Sequence, residues 1–484
     1  MDREGHTVEK IGGTSMLDSQ VLVDNVLVGA REGGDLYGRI FVVSAYAGIT
    51  DRLLEHKRNG APGVFAHFTD EDSEWAWGDS LSEVAERMLE INAGIFSDDG
   101  QRITADNFVR ERIEGVRNCL IDLHRLCSYG HFNLPGNLRT VRELLASLGE
   151  AHSAHNTSLL LNSMGINARF VDLSGWRGDT CRRLDDRVAA AFLDLNLDST
   201  LPIATGYAQC DRGIVSRYGR GYSEVTFSRI AALTHAREAV IHKEFHLSSA
   251  DPRIVGADRV RTIGQTNYDV ADQLSNLGME AIHPRAAKSL RQAGIPLRIR
   301  NTFDAGAAGT AINGDYTSDS PRTEIVTGIR GVYALQFFEQ DMVGVKGYDA
   351  RILRILKRHP VRVVTKSSNA NTIIHYLAGV PGAVKRVIRD LEKECESSSS
   401  VSVRKVSIVA AIGSDLDLRG LTGSAVSALS NNGIEILGVH QLLRNVDIMF
   451  ILEDADYEPA IRALHATLIE DESRSSPKSA TRAA

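Results

Sequence analysis

At 484 residues, with 43% hydrophobic and 24% charged residues, the chain has the composition of a globular protein and is long enough for several domains. Its net charge of −7 argues against nucleic-acid binding, and no apolar run is long enough to cross a bilayer, so we expect neither a nucleic-acid nor a membrane partner. The five cysteines form no CxxC pair and the first ten residues lack the apolar core of a signal peptide, which together indicate a cytoplasmic protein with reduced thiols.

The first predicted elements are a strand over residues 8–11, a glycine turn and a helix over residues 16–31. Gly12 and Gly13 let the backbone turn with no Cβ in the way. A glycine turn that opens a helix presents unpaired N–H groups at the positive end of the helix dipole, where phosphate oxygens fit. Lys10, just before the turn, could place a charge on the same oxygens. Taken alone, the pattern is also typical of an ordinary strand-turn-helix.

Small polar residues follow each of the first two predicted strands. Thr14 and Ser15 offer hydroxyls that we expect to cap the first helix. The apolar run of residues 39–45 predicts a buried parallel strand, and residues 47–51 form a second glycine turn that carries Thr50. Two such strand-turn-helix units are typical of a doubly wound α/β fold, in which ligands bind beyond the carboxyl ends of the strands.

Residues 52–148 are mostly helical by pattern, and Glu150 follows a glycine at what the pattern predicts to be a helix start. Two interpretations of this carboxylate stay open, because it could complement the helix dipole or bind the ammonium group of a substrate. Further strands that complete the sheet are predicted over residues 168–173, 201–205, 238–243, 295–301 and 309–312.

A polar segment over residues 218–228 runs into another predicted helix. Its Gly-Arg-Gly lacks the third glycine of the GxGxxG fingerprint, which argues against a dinucleotide-dependent oxidoreductase. Arg220 and Ser223 at a helix N-terminus would instead suit a carboxylate, because a guanidinium can bind one through two hydrogen bonds.

Several segments, in this order along the chain, resemble the amino-acid kinase fold and within it the aspartokinases. The matching landmarks are Lys10-Ile11-Gly12-Gly13-Thr14-Ser15, Val43-Ser44-Ala45, Ala47-Gly48-Ile49-Thr50, Gly149-Glu150, Gly219-Arg220-Gly221 with Ser223, Ala250-Asp251-Pro252-Arg253 and His283-Pro284-Arg285-Ala286. Neither a Walker A sequence nor the HRD and DFG signatures of protein kinases occur. The resemblance implies an α/β fold class, with a carbamate kinase-like three-layer αβα catalytic domain over residues 1–318.

The resemblance also implies an activity. The γ-phosphoryl group of MgATP would pass to the side-chain carboxylate of L-aspartate, giving 4-phospho-L-aspartate and ADP. This is the first step of the pathway to lysine, threonine and methionine, or of the ectoine pathway. An anionic carboxylate must approach a triphosphate, so cations must offset the repulsion while hydrogen-bond donors hold the line of attack. The matching catalytic residues would be Lys10, Glu150 and Arg220.

Binding roles follow from the same match, residue by residue. Arg220 and Ser223 would take the α-carboxylate of aspartate and Glu150 its ammonium, while Thr50 and Glu224 belong to the same pocket. The nucleotide-binding set would be Lys10, Gly12, Gly13, Ser15, Lys243, Glu244, Ser249, Asp251 and Arg253. No protein residue is assigned to a metal.

The chain departs from the family's pattern near both substrates. Members commonly have Gly-Gly-Ser-Asp where this chain has Gly221-Tyr222-Ser223-Glu224, and Glu224 keeps the charge but reaches farther. Lys243-Glu244-Phe245 stands for the usual Thr-Asp-Val, and Glu280 replaces a usual lysine, so the ATP contacts are the most altered. The added Lys243 could restore the lost charge. Such variants are similar to a branch of aspartokinases that accompanies ectoine synthesis.

The last third predicts an internal repeat of β-α-β-β-α units after a linker at residues 321–324. It resembles a tandem pair of ACT-like βαββαβ ferredoxin-type domains over residues 325–396 and 401–470, with a hinge at residues 397–400. The second copy ends without room for a full last strand, so the copies are expected to share strands. Residues 471–484 are poor in apolar side chains and are expected to be disordered.

ACT pairs typically bind amino acids, which implies feedback by lysine or threonine and assembly into a homodimer or higher homo-oligomer. The candidate effector contacts are Met342, Val343, Gly344, Lys366, Ser367 and Asn369. The alternative is a purely structural dimerisation module.

Two other functions stay open. A kinase for glutamate or N-acetylglutamate would share the fold but should lack the paired ACT repeat. A catalytically weak amino-acid-binding regulator would explain the changes at Glu224, Lys243 and Glu280. Retention of the expected substrate residues argues against it, namely Lys10, Glu150, Arg220 and Ser223.

Overall fold

A computed structural model describes residues 5–57, 60–70, 75–178, 182–279, 281–394, 399–416, 418–441 and 443–470. The described chain divides into two compact units. The first comprises the residues up to His246 together with Ile282–Gly314, and the second comprises Leu247–Ala281 and the residues from Asp315 onward. In this division Leu247–Ala281 group with the C-terminal part of the chain. The domain bounds at residues 1–318, 325–396 and 401–470 stay a prediction.

The strands are β1 (Thr7–Ile11), β2 (Arg39–Val43), β3 (Ala168–Val171), β4 (Leu201–Thr205), β5 (Glu238–Lys243), β6 (Gln265–Asn267), β7 (Leu297–Asn301), β8 (Thr310–Asn313), β9 (Ile325–Glu339), β10 (Arg362–Ser368), β11 (Thr372–Ala378), β12 (Ser399–Ile412), β13 (Ile436–Gln441) and β14 (Asp447–Glu453). The helices are α1 (Ser19–Leu22), α2 (Ile49–Leu53), α3 (Val64–Thr69), α4 (Ala76–Ile95), α5 (Asp99–Ser128), α6 (Leu134–Ser163), α7 (Leu184–Phe192), α8 (Ile214–Tyr218), α9 (Tyr222–Leu233), α10 (Pro252–Val255), α11 (Tyr268–Asn276), α12 (Pro284–Gln292), α13 (Tyr348–Leu356), α14 (Pro381–Glu394), α15 (Leu418–Asn431) and α16 (Tyr457–His465). None of the described helices is both long enough and apolar enough to span a bilayer.

The strands of the first unit follow the order β3-β4-β2-β1-β5-β7-β8, in which only β8 runs antiparallel to its neighbour. The central strands β1, β2 and β4 are buried at every position, and the apolar runs of β2 and β4 are typical of a parallel sheet. In β1 the burial includes Glu9 and Lys10. Because these strands are parallel, the segments that follow β1, β2, β4 and β5 emerge at the same edge of the sheet. The two predicted strand-turn-helix units therefore converge as expected.

The first turn differs from the prediction in its helix cap. Asp18, not Thr14 or Ser15, caps α1 and accepts a hydrogen bond from the Val21 amide at 3.0 Å. The helix begins at Ser19 and continues as a π-helical turn to Leu27, so it is shorter than the predicted one. Gly13 is required for a close approach, because a Cβ there would lie 2.7 Å from the Ala45 carbonyl oxygen.

The predicted helix start before Glu150 is wrong, since Glu150 lies in the middle of the 30-residue helix α6. The glycine that resembled a helix start has another cause. A Cβ on Gly149 would lie 2.6 Å from the Cβ of Ala45, so glycine lets α6 approach the turn after β2. The helix-dipole interpretation of Glu150 falls with the predicted helix start.

The second unit contains one antiparallel sheet in the order β10-β11-β9-β12-β14-β13. The long strands β9 and β12 pair along both halves of their length, on either side of an irregularity between Val406 and Ile408. β11 pairs with the second half of β9, and β14 pairs with the last residues of β12. Each ferredoxin-type half thus uses part of both long strands. The first half of β9 supplies the last strand that the second copy lacks in sequence order.

Each half of this sheet has its own apolar core. Leu335, Phe337 and Ile355 belong to one cluster, and Val409 and Phe450 to the other. The predicted linker at residues 321–324 is not a free connection, because Glu324 is buried and accepts hydrogen bonds from Thr266 and Ser414. The predicted hinge falls partly on β12 and partly outside the described residues, as does the whole predicted tail.

Candidate active site

Lys10, near the end of β1, projects its ammonium among buried groups of the first unit. Its side chain is about as buried as that of Glu224, whose Oε1 lies 3.7 Å from the Lys10 Nζ. The other oxygen of Glu224 accepts the backbone N–H of His283. Burial alone would raise the pKa of Glu224, but the charges of Lys10 and Lys243 and the amide hydrogen bond outweigh it and hold the pKa below its usual value. The site therefore holds an ionised carboxylate beside the Lys10 ammonium, and the charge of Lys243 also favours its ionised form.

Glu150 is the second buried carboxylate of the site, and its partners differ from those of Glu224. It is 2% exposed, and its Oε1 accepts a 2.7 Å hydrogen bond from the hydroxyl of Tyr222, the first residue of α9. Its Oε2 is buried and has no hydrogen-bond partner among the described residues. Burial raises the pKa of Glu150 to about 7, although hydrogen bonds from the Tyr222 hydroxyl and from the backbone amides of Glu150 and Ala45, and the charge of Lys10, oppose the rise. A buried acceptor with no partner is a site for a cationic donor.

Hydroxyl groups from three elements border these carboxylates. The Ser44 hydroxyl lies 3.5 Å from that of Ser223, and the Ser153 hydroxyl holds the Ser44 carbonyl at 2.9 Å. Thr50 forms a side-chain hydrogen bond with Tyr222. A Cβ on Gly206 would lie 2.8 Å from the Ser223 Cβ, so the glycine after β4 makes room for the serine. These small polar groups and the two carboxylates form the candidate substrate site.

Arg220 already has a carboxylate partner. Its Nη2 lies 3.2 Å from Oδ1 of Asp51, on α2, and also donates to the Glu55 carbonyl. The guanidinium is partly exposed at the protein surface, where it could exchange Asp51 for a substrate carboxylate. Sequence reasoning missed Asp51, although it lies one residue after Thr50 in the second glycine turn.

Two expected nucleotide-binding groups are engaged inside the fold. The Gly12 N–H donates to the His242 carbonyl at 3.2 Å, which continues the pairing of β1 with β5. The Ser15 hydroxyl is fully buried and accepts a 2.8 Å hydrogen bond from Thr302. Gly13 follows Gly12 directly, at the point where the chain leaves the sheet. The Gly12 amide and the Ser15 hydroxyl are therefore occupied in this structure.

The other predicted nucleotide residues fall in both units. Lys243 and Glu244 lie at the carboxyl end of β5 in the first unit. Ser249, Asp251 and Arg253 belong to the second unit. The buried Ser249 hydroxyl lies 2.9 Å from Nε2 of His465, while Asp251 pairs with the exposed Arg253 at 2.7 Å. Glu280 lies outside the described residues.

The six predicted effector residues lie in the half of the second unit that contains β9, β10 and β11. Met342 is buried, whereas Val343 is largely exposed and Gly344 has a left-handed backbone. Lys366 forms an ion pair with Asp349, at the start of α13. Ser367 pairs with Ile374 across β10 and β11, and the Asn369 side chain accepts the Thr372 amide at 2.9 Å.

Known proteins resemble this chain over most of its length. The model of the amino acid kinase family matches residues 6–301. A protein of Stutzerimonas stutzeri strain A1501, aspartate kinase Ask_Ect, is 50% identical over 467 residues, which are 96% of this chain and 98% of that protein. The chain belongs to the amino acid kinase family, and within it to the aspartate kinases. The aspartokinase of Saccharomyces cerevisiae is a more distant relative, 25% identical over 70% of this chain and 71% of its own length.

Solved structures agree on the fold of this aspartate kinase. E. coli aspartokinase III in complex with aspartate and ADP superimposes with a TM-score of 0.70 at 21% identity, covering 96% of this chain and 99% of that chain. The same enzyme in complex with lysine and aspartate gives a TM-score of 0.70 at 20% identity with the same coverage. The predicted fold class, an amino-acid kinase domain followed by ACT-like domains, is confirmed. Among the described residues, no group of three or more His, Cys, Asp or Glu side chains is arranged to hold a metal ion.

Proposed function

We propose that this kinase transfers the γ-phosphoryl group of MgATP to the side-chain carboxylate of L-aspartate, giving 4-phospho-L-aspartate and ADP. The observation that carries the proposal is the unpartnered, buried Oε2 of Glu150 in the same unit as Lys10, Arg220 and Ser223. An amino acid offers an ammonium for Glu150 and an α-carboxylate for Arg220, and its side-chain carboxylate would then face the cations. The 50% identical aspartate kinase of S. stutzeri supports this substrate.

The reaction requires placement and charge compensation rather than a covalent enzyme intermediate. The acceptor carboxylate and the triphosphate are both anionic, so Lys10 would offset their repulsion at the transferring group. Glu224 would hold the Lys10 ammonium in place from 3.7 Å. Binding of the α-carboxylate would draw Arg220 away from Asp51, and Thr50 and Ser223 would border the bound amino acid. The catalytic roles thus fall to Lys10, Glu150 and Arg220.

For the nucleotide, we propose that Gly13, Lys243 and Glu244 act at the edge of the sheet where β1 and β5 end. Gly12 and Ser15 would act by shaping the turn, since their polar groups are engaged within the fold. Ser249, Asp251 and Arg253 remain proposed nucleotide contacts. Magnesium would enter with ATP as part of the substrate and would supply charge neutralisation at the phosphates. ADP bound to E. coli aspartokinase III supports this class of nucleotide.

Regulation and pathway are further parts of the proposal. We infer catalysis by residues 1–318 and feedback through ACT-like domains over residues 325–396 and 401–470, with lysine or threonine near Met342 and Lys366. The lysine complex of E. coli aspartokinase III supports such an effector. The designation Ask_Ect of the half-identical relative supports the ectoine branch. The edge strands β10 and β13 are candidate surfaces for a homodimer, and the cytoplasmic location stays a prediction.

The test is ATP- and Mg-dependent formation of an acyl phosphate, trapped as the hydroxamate, with L-aspartate, L-glutamate and N-acetylglutamate as acceptors. We expect product from L-aspartate alone. Lys10→Ala should lower kcat by a factor of about a hundred or more, because it removes a cation that acts in the transition state. Lys288→Ala, which removes an exposed ammonium on α12, is the control and should leave kcat unchanged.

Other outcomes of the hydroxamate assay would each overturn one part of the proposed function. Product from another acid would change the substrate, and full activity of Lys10→Ala would remove the role of Lys10. If a folded wild-type protein forms no hydroxamate but binds lysine or threonine, the regulator interpretation replaces the kinase. Inhibition of the wild type by lysine or threonine that Lys366→Ala abolishes would support the effector site.

A further inference from the structure

Tyr222 is held rigidly beside the candidate substrate pocket. It is the first residue of α9, 2% exposed, and its ring packs edge-on against Tyr207 with 5.9 Å between ring centroids. Its hydroxyl meets the Glu150 carboxylate and the Thr50 side chain, so it connects α9 with α6 and α2. A buried phenol with a packed ring and two polar partners has little freedom to reorient.

The hydrogen bond from Tyr222 occupies one carboxylate oxygen of Glu150 and leaves the other as an acceptor for substrate. Oε1 is 2.7 Å from the Tyr222 hydroxyl, and Oε2 is the buried oxygen that has no partner among the described residues. Because Oε1 is occupied, an incoming ammonium finds a single carboxylate oxygen in a fixed orientation. Fixing the acceptor before binding reduces the entropy that the substrate must lose.

We propose that Tyr222 is a positioning residue for the amino-acid substrate, which orients Glu150 and leaves its Oε2 as the acceptor for the substrate ammonium. The inference rests on the proposed function, because it takes Glu150 as the ammonium-binding group.

The charged and titratable groups around Glu150 determine how the role can be measured. Lys10 faces it from β1, Tyr207 from the segment after β4 and Tyr222 from α9, with Arg220 beyond Tyr222. Burial raises the pKa of Glu150 to about 7, and the Tyr222 hydrogen bond lowers it. Removing the hydroxyl therefore favours the protonated acid, which binds an ammonium more weakly than the carboxylate does, and the loss of affinity should be greatest below neutral pH.

The experiment compares Tyr222→Phe with Tyr207→Phe in the hydroxamate assay between about pH 6 and pH 9. Tyr207→Phe is a matched control, because it also removes a buried hydroxyl that donates to a carboxylate, in its case to Glu143 at 3.1 Å. In Tyr222→Phe, we expect KM for L-aspartate to rise about tenfold at neutral pH while kcat changes by less than about threefold. The acidic midpoint of kcat/KM should move upward by about one pH unit. Tyr207→Phe should leave both quantities unchanged.

A second readout does not depend on turnover. The infrared band of the protonated Glu150 carboxyl group, assigned by its loss in Glu150→Gln, should titrate at higher pH in Tyr222→Phe than in the wild type. Equal behaviour of the two tyrosine variants, or an unchanged Glu150 titration, would overturn the inference. Failure of the wild type to use L-aspartate, or an unchanged KM in Glu150→Gln, would instead count against the proposed function.

Discussion

Replacing Glu143 by alanine removes the carboxylate that accepts hydrogen bonds from the segment before Arg220. The carboxylate of Glu143, on α6, is buried and accepts five hydrogen bonds. They come from the Tyr207 hydroxyl at 3.1 Å, the amides of Ile214 and Val215 at 3.0 and 3.2 Å, and the amide and hydroxyl of Ser216 at 2.8 and 2.9 Å. Ile214, Val215 and Ser216 form the first turn of α8, and the turn with Arg220 follows this helix directly.

The size of the effect follows from which donors water can reach. Ser216 is exposed, so its two donors can be hydrated when the carboxylate is gone. Tyr207, Ile214 and Val215 are buried, and each would leave a donor without a partner. At about 1–3 kcal/mol for each buried orphan group, with partial relaxation, Glu143→Ala should lower the free energy of unfolding by about 3–5 kcal/mol. Glu143→Gln keeps one acceptor oxygen for the buried donors, so its free energy of unfolding should fall by only about 1–1.5 kcal/mol.

Urea unfolding followed by tryptophan fluorescence is the appropriate assay, because Trp75, Trp77 and Trp176 all belong to the first unit. Glu114→Ala is the control, since that side chain is 63% exposed and has one 3.6 Å contact with Arg117. It should change stability by less than about 0.5 kcal/mol. If Glu143→Ala behaved like this surface variant, or if the glutamine and alanine variants were equally unstable, the assignment of the five hydrogen bonds would be refuted.

Two further predictions concern the same unit. Gly206→Ala would place a Cβ 2.8 Å from both the Val43 carbonyl oxygen and the Ser223 Cβ. It should therefore lower the free energy of unfolding by about 1–3 kcal/mol and raise KM for L-aspartate. Gly94→Ala, which has open space around its Cβ, is the control and should change both quantities little. Glu9 is buried, which would raise its pKa, but the hydrogen bond with His242 and the charge of Arg39 lower the pKa to about 2. The stabilisation from this depressed pKa is present above the unfolded value of 4.5 and is lost as the pH falls toward 2, a loss of about 3 kcal/mol. Thermal unfolding of Glu9→Gln should therefore depend less on pH in that range than the wild type does, and parallel curves would contradict this.

Much of the fold was predictable because its signals are local. Apolar runs marked β2 and β4, and the Gly12-Gly13 turn marked the end of β1, although Glu9 and Lys10 lie within that strand. The polar residues that follow these strands placed the candidate site at one edge of a parallel sheet. The repeat in the last third indicated two copies of one motif. Periodicity reports which side chains are buried within an element, and that information is complete in a short stretch of sequence.

The errors arose where a residue type has more than one physical use. A glycine before Glu150 looked like a helix start, but it is the point where α6 approaches Ala45. Thr14 and Ser15 looked like helix caps, but Ser15 is buried against Thr302 and Asp18 caps the helix. The strand absent from the second repeat is supplied by β9, which precedes it by more than a whole motif. No local pattern distinguishes these cases.

By itself, the sequence determined that the chain is an α/β kinase with a repeated C-terminal module, and it named Lys10, Glu150 and Arg220 as candidates. Only the tertiary structure decided their electrostatic states and partners. The Tyr222–Glu150 hydrogen bond joins residues 72 positions apart, and the Arg220–Asp51 pair joins α2 to the turn before α9. The physical reason is that burial and charge at a site depend on elements brought together from distant parts of the chain, whereas the tendency to form a strand or helix depends mainly on near neighbours.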